Sequence, residues 1–253
     1  MSIEQVVARM RTELEPLEAS GDARRWFAST YLRTTLAVAE EIERGGFTDA
    51  QWVTDWDVAF ADLYLDAIEA DRTGSGRVSK PWQVAFRTAR EQPELPPLRH
   101  VLLGMNAHIN YDLPQALLAV ITSEQFDDAE LLERRSKDHA HVDEVLLARV
   151  SAEDDELLKA GPRTLLDRML TPFNRTGTKR FLVEARRKVW ANTKLLDTAR
   201  RVTDTRYTTR LGELEGLSSA KLEELTAPGQ VLLKLAVKGF GVRLPDRPSS
   251  SAW

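Results

Sequence analysis

The chain has 253 residues with four histidines, no cysteine and a formal net charge of -4. That excludes disulfides, thiolate metal sites and a cysteine nucleophile, and it gives no overall basic footprint for a nucleic acid. At 42% apolar and 29% charged residues the composition suits a folded globular chain with a sizeable core, and without an apolar run of about 18 residues no membrane span is expected.

Helical periodicity dominates and no alternating strand pattern interrupts it. The opening, MSIEQVVARMRTELEPLEAS, is amphipathic and rich in glutamate; it lacks the layout of a signal peptide, and with the missing cysteines it points to the cytoplasm. Helices are predicted over 2–18, over 23–44 behind an Asp22 cap, and over 48–71 behind a Thr48/Gln51 capping box. The Gly/Ser loop RTGSGRVS (72–79) leads into a helix over 80–91, capped by Ser79, with Pro81 in its first turn. Pro93, Pro96 and Pro97 then introduce a helix over 97–122. The acids of FDDAELLE (126–133) read as helix-start residues, which complement the helix dipole. Further helices are predicted over 127–151, 163–172, 178–204 and 218–239, with TPFNRTGTKR (171–180) as a break and Pro228 interrupting the last. The paired arginines on the helices read as solvated faces, and the locally basic stretch 175–210 suits either a phosphate-bearing partner or neutralisation by acidic neighbours. Residues 241–253 are expected to be a flexible tail. The expected fold is all-α, a single helical-bundle-like domain of eight or nine helices over 1–240, with the 97–122 helix at its centre.

Three of these helices carry carboxylates on the wrong side. In GMNAHINYDLPQ (104–115), at about 100° per residue, His108 and Asp112 lie one turn apart on one side. Asn106 and Asn110 lie on the opposed side, with Met105, Ile109 and Leu113 between. Pro114 cannot donate to the Asn110 carbonyl, so a kink is predicted where the polar residues sit. On 127–151, Asp138 falls inside the apolar arc of Leu131, Val142, Val145 and Leu146, with His139 at its edge. On 51–70, Asp57 borders an aromatic face built from Trp52, Trp56, Phe60 and Tyr64. A carboxylate in a core must be paired, protonated or metal-bound.

Carboxylates and imidazoles converging from separate helices are a common way to build a metal site, and His108, Asp112, Asp138 and His139 are the ligand candidates for a divalent zinc, iron or manganese. Without a metal, His108 and Asp112 form a general-base pair, with Asp138 as a further catalytic candidate. Asn106, Asn110, Asp57, Tyr64 and Trp56 are the substrate-binding candidates, and Trp82 and Trp190 extend the aromatic wall. Asn106 and Asn110, on the far side, equally suit ties to neighbouring helices. Motifs of zinc proteases, P-loops, di-metal bundles and serine hydrolases are absent. Three functions fit: an enzyme acting on a small organic substrate, as in specialised metabolism; a non-catalytic binding or carrier protein; and an interaction protein whose polar centre only fixes helix register.

The residues also resemble a bacterial family, found mostly in actinobacteria, of a domain of unknown function. Its GMNAHIN-x-DLP-like motif is similar to Gly104–Pro114, and its LD-x-x-FA-x-x-Y-x-x-A-like helix to WDVAFADLYLDA (56–67), with Trp56 at the first position. A third, D-F-x-x-V-N-x-x-L-like, resembles DHAHVDEVL (138–146), with His139 where an aromatic is usual and Asp143 where an asparagine is usual. The similarity covers roughly 25–195. It implies an all-α fold, singles out Asn106, His108, Asn110 and Asp112, and brings no activity with it.

Overall fold

The first helix, α1 (Ile3–Ser20), opens on a capping box in which the Ser2 hydroxyl accepts from the Gln5 N–H and the Gln5 side chain accepts from the Ser2 N–H. It is the first element of a computed structural model that describes residues 2–160, 165–227, 229, 235 and 239–247, the side chains of 146–182 excepted. Gly21, at φ 70°, ends α1 in the left-handed conformation that glycine adopts without strain. The chain returns along α1 as α2 (Arg25–Glu43), and α3 (Ala50–Thr73) packs across both. The cap of α3 is Asp49, which accepts the Trp52 N–H at 3.1 Å, and not the expected Thr48. The N–H groups of both Thr48 and Asp49 bond to Asp138, which holds the start of α3 one residue beyond the expected cap. After the Gly/Ser loop, α4 (Lys80–Glu91) starts with Pro81 in its first turn, as predicted.

The expected 97–122 helix is three pieces. α5 (Pro97–Ala107) runs into a five-residue π-helical turn, His108–Asp112, and continues as α6 (Leu113–Val120). The Leu113 N–H reaches back five residues, to the His108 carbonyl. Pro114 explains the change: it has no N–H for the carbonyl four residues back, and its ring crowds that turn. The predicted kink therefore takes the form of a π bulge, and Pro114 sits in the first turn of a new helix. The three pieces are the centre of the fold. α5 meets α2, α4 and α9, α6 meets α3 and α8, and the π turn meets α3, α8 and α9.

A short 3-10 turn, Glu124–Asp127, precedes α7 (Ala129–Ala160). α8 (Leu165–Arg200) is one helix through TPFNRTGTKR, where the sequence predicted a break. One interior Pro costs a helix about 3 kcal/mol and one Gly about 1 kcal/mol, and packing of α8 on α6, α7 and α9 offsets that cost. α9 (Asp204–Thr226) starts at a Thr203 cap, well before the predicted 218, and ends before Pro228, which lies outside the described residues. Among the described residues there is no strand, and no helix long and apolar enough to cross a membrane. The fold is all-α.

Residues 241–247, expected in a flexible tail, are docked. Gly239–Arg247 forms an extended strap held by two asparagines that act as strand partners. Asn110 donates to the Phe240 carbonyl (3.2 Å) and accepts the Val242 N–H (3.2 Å). Asn192 of α8 donates to the Val242 carbonyl (3.0 Å) and accepts the Leu244 N–H (2.8 Å). Leu244 is fully buried among Tyr111, Leu118, Leu196 and Leu214. Polar composition suggested mobility, but one leucine and four backbone bonds outweigh it. Asn110→Ala should expose the Val242 amide and Asn192→Ala the Leu244 amide, each costing about 2 kcal/mol through buried groups left unpaired. Native-state hydrogen exchange should show loss of protection at that amide, with the α3 core unchanged.

Candidate active site

The π turn aims His108 and Asp112 toward α2, α3 and α4. The imidazole Nδ1 lies 2.8 Å from Asp112 Oδ2, which also accepts the Trp82 indole N–H at 2.7 Å. The carboxylate has no proton to share when ionised, so the hydrogen-bond network assigns the ring proton to Nδ1 and leaves Nε2 as a lone-pair acceptor. Nε2 is buried and has no hydrogen-bond partner among the described residues. Burial lowers the His108 pKa, against the pull of Asp112. Burial likewise raises the Asp112 carboxyl, opposed by the His108 and Trp82 hydrogen bonds. The low-dielectric site thus favours a neutral imidazole with a free nitrogen.

Aromatic rings enclose that imidazole. Phe60 stacks on it with centroids 3.5 Å apart and planes at 6°. Tyr31 meets it edge-on at 4.6 Å, with Phe27 at 6.0 Å and Tyr64 at 6.1 Å. Gly104 makes the Phe27 position possible, since a Cβ there would overlap the Phe27 ring. Phe60 is also the end of a column on α3. Trp52, Trp56 and Phe60, four residues apart, stack at 6.2 Å and 6.0 Å with planes within 14° and 12°. Three rings of one helix and the imidazole of another therefore form one parallel pile, with the Arg135 guanidinium 5.3 Å over Trp52.

Beside this pile, buried polar atoms lack partners among the described residues. They are Tyr31 Oη and Thr35 Oγ1 on α2, and Asp57 Oδ2 with the indole nitrogens of Trp52 and Trp56 on α3. Native cores rarely leave such atoms unpaired, and a cluster of them calls for an explanation. Asp57 is 4% exposed, and burial alone lifts its carboxyl to about 7. Burial also raises the Tyr31 phenol far above its usual range, helped by the charges of Asp57 and Asp112, so it stays protonated.

The other predicted residues are placed elsewhere or otherwise engaged. Asn106 donates to the Leu102 carbonyl and accepts from Asn110, which holds the strap, so both amides serve the protein. Asp138 is buried, as its place in the apolar arc required, yet its partners are the backbone N–H groups of Thr48 (2.9 Å) and Asp49 (2.8 Å). It anchors the start of α3. His139 accepts the Trp190 indole N–H at 2.9 Å and meets Trp56 edge-on at 5.1 Å, and burial lowers its pKa to about 3. The four metal-ligand candidates are therefore not assembled: among the described residues no three His, Asp or Glu side chains converge to hold an ion. Tyr64 and Trp56 do belong to the aromatic enclosure. Sequence reasoning missed Tyr31, Thr35 and Phe27; their signal was the i, i+4, i+8 row on α2, which reads as plain core. A separate groove at the end of α8, with about 160 Å³ of free volume and lined by Val202, Arg206 and Asp246, holds none of the candidates.

The two buried aspartates, placed so differently, should respond differently to substitution. A carboxyl raised to about 7 when folded, against about 4 when unfolded, stabilises fully below pH ~4, and that stability is lost as pH rises through ~7. Asp57→Asn removes the titration; Tyr31, the titratable group that feels the Asp57 charge, is unchanged. The variant should gain on the order of 3 kcal/mol over the parent at pH 8, falling to nearly nothing at pH 4, measured by urea unfolding across pH. Asp138→Ala breaks two charge-assisted bonds to backbone and should cost about 3 kcal/mol, seen in the same unfolding curves at neutral pH.

No curated protein and no solved structure matches the chain. A family model does, over residues 3–228, wider than the 25–195 expected from the motifs. The π turn, the aromatic column and all the unpartnered atoms fall inside that match, and the chain belongs to the family of unknown function DUF5995.

Proposed function

We propose that this protein is an acid–base enzyme acting on a small organic substrate, with His108 as general base. One observation supports the reading most: His108 Nε2 and Tyr31 Oη, whose rings meet at 4.6 Å, are both buried without partners among the described residues, and Asp57 Oδ2, within electrostatic reach of Tyr31, is buried and unpartnered as well. Asp112 and Trp82 hold the imidazole from behind, so its free nitrogen faces away from them. That is the arrangement of a base oriented by a third group. The Tyr31 ring meets the imidazole edge-on, and its phenol, kept protonated, supplies a donor or acid. No metal enters this reading, which draws on the His108–Asp112 pair and not on Asp138 or His139. On the same reading GMNAHINYDLP, 104–114, is the family's site signature, in bacterial proteins of specialised metabolism working in the cytoplasm. A binding or carrier protein would use the same atoms, and the near-complete enclosure of His108 (3% exposed) and Tyr31 (6% exposed) favours it.

A library of small organic amines, acids and alcohols, read by thermal shift and by proton NMR for turnover, tests both versions. At least one compound should stabilise the wild type, and His108→Ala should lose that effect while keeping its helical circular dichroism. Turnover marks the enzyme, and stabilisation without turnover marks the carrier. Tyr31→Phe should lose ligand response yet be about 1 kcal/mol more stable when empty, since it removes a buried unpaired hydroxyl. A Tyr31→Phe protein that melts earlier, or a His108→Ala protein that responds to ligand like the wild type, would sink the proposal.

A further inference from the structure

The unpartnered atoms also indicate what the ligand carries. We propose that the site takes a protonated primary amine on an apolar or aromatic body, with the ammonium paired to Asp57. This rests on the site reading above and specifies its ligand.

The argument starts from charge. Asp57 Oδ2 is buried without a hydrogen-bond partner among the described residues, and none of the ion pairs found among them includes Asp57. A buried carboxylate without a partner is costly, and a cation that arrives with a ligand removes the cost. The nearby cations are committed elsewhere. Arg24 is bound by Asp22 and Asp71. Arg135 donates to Gln125 and lies over Trp52, two rings along the column from Phe60. Burial alone accounts for the position of the Asp57 pKa, with no neighbouring cation pulling it down.

Two further observations select a primary amine over other ligands. Tyr31 Oη and His108 Nε2 are acceptors without donors, and an ammonium brings three N–H groups. The rings of Tyr31, Phe60 and Tyr64, packed around the His108 imidazole, give a cation a favourable face and an apolar body a wall. An anionic ligand would meet Asp57 and Asp112, both within electrostatic reach of Tyr31. A neutral ligand would leave Asp57 unpaired.

Isothermal titration of the full chain at pH 8 with benzylamine, benzyl alcohol and benzyltrimethylammonium separates these possibilities. Benzylamine should bind at least about tenfold tighter than benzyl alcohol, and the quaternary ion, with no N–H, should fall between. Asp57→Asn, expected to be at least as stable as the parent at this pH, should abolish the preference for the amine. Equal binding of amine and alcohol, an amine preference that survives Asp57→Asn, or no saturation by benzylamine up to about 10 mM would each overturn the inference. Benzyl alcohol bound in a manner lost with Tyr31→Phe, but with no advantage for the amine, would defeat the amine and leave the site standing. If none of the three binds, the amine inference falls, and the broader library decides the site.

Discussion

One missing hydrogen-bond donor organises the centre of this protein. Pro114 cannot complete an α-helical turn, and the chain answers with a five-residue π turn at His108–Asp112. A π turn widens the helix and shifts the angular phase of the residues beyond it. Here it lets one short segment serve three neighbours. His108 and Asp112 face the rings of α2, α3 and α4, Asn110 faces the C-terminal strap, and Tyr111 joins the small apolar cluster with Leu196, Leu214 and Leu244.

The two kinds of polar residue in that segment have opposite energetics. Asn106 and Asn110 have every observed bond directed into the protein, to Leu102, Phe240 and Val242 and to each other. Satisfied in this way, they fix the register of α5 and the path of the strap. His108 is tied at one nitrogen and open at the other, Tyr31 is open beside it, and Asp57, within electrostatic reach of Tyr31, is open as well. Such atoms lower the stability of the empty protein. Replacing the unpaired tyrosine by phenylalanine would remove part of that cost.

The aromatic column deepens the contrast. Trp52, Trp56 and Phe60 stack the large apolar surfaces of α3 in a column whose Phe60 end lies directly against the imidazole. This surrounds the polar atoms with a medium of low dielectric, which is why Asp57 rises to about 7 and why His108 is held neutral. Asp138, an equally buried carboxylate, meets two backbone N–H groups and serves the start of α3. The difference between the two aspartates lies in their partners and not in their burial.

The sequence by itself determined the features that depend on neighbours along the chain. Helical periodicity set the all-α class, a four-residue spacing set the His108–Asp112 pair, and Pro114 set the break in the central helix. The same periodicity showed that Asp57 and Asp138 lie on core faces, and both are buried. Contacts between distant segments were decided only by the tertiary structure. Asp49 and not Thr48 caps α3, at a helix start held by Asp138, some ninety residues on, through the N–H groups of both. α8 continued through a proline and a glycine because packing outweighed their intrinsic cost. Tyr31, Thr35 and Phe27 came from a helix whose pattern read as ordinary core, and His139 went to Trp190 in place of a metal set. Spacing fixes which side chains of one helix can meet, whereas the partner of a buried polar atom is fixed by whichever remote helix packs over it.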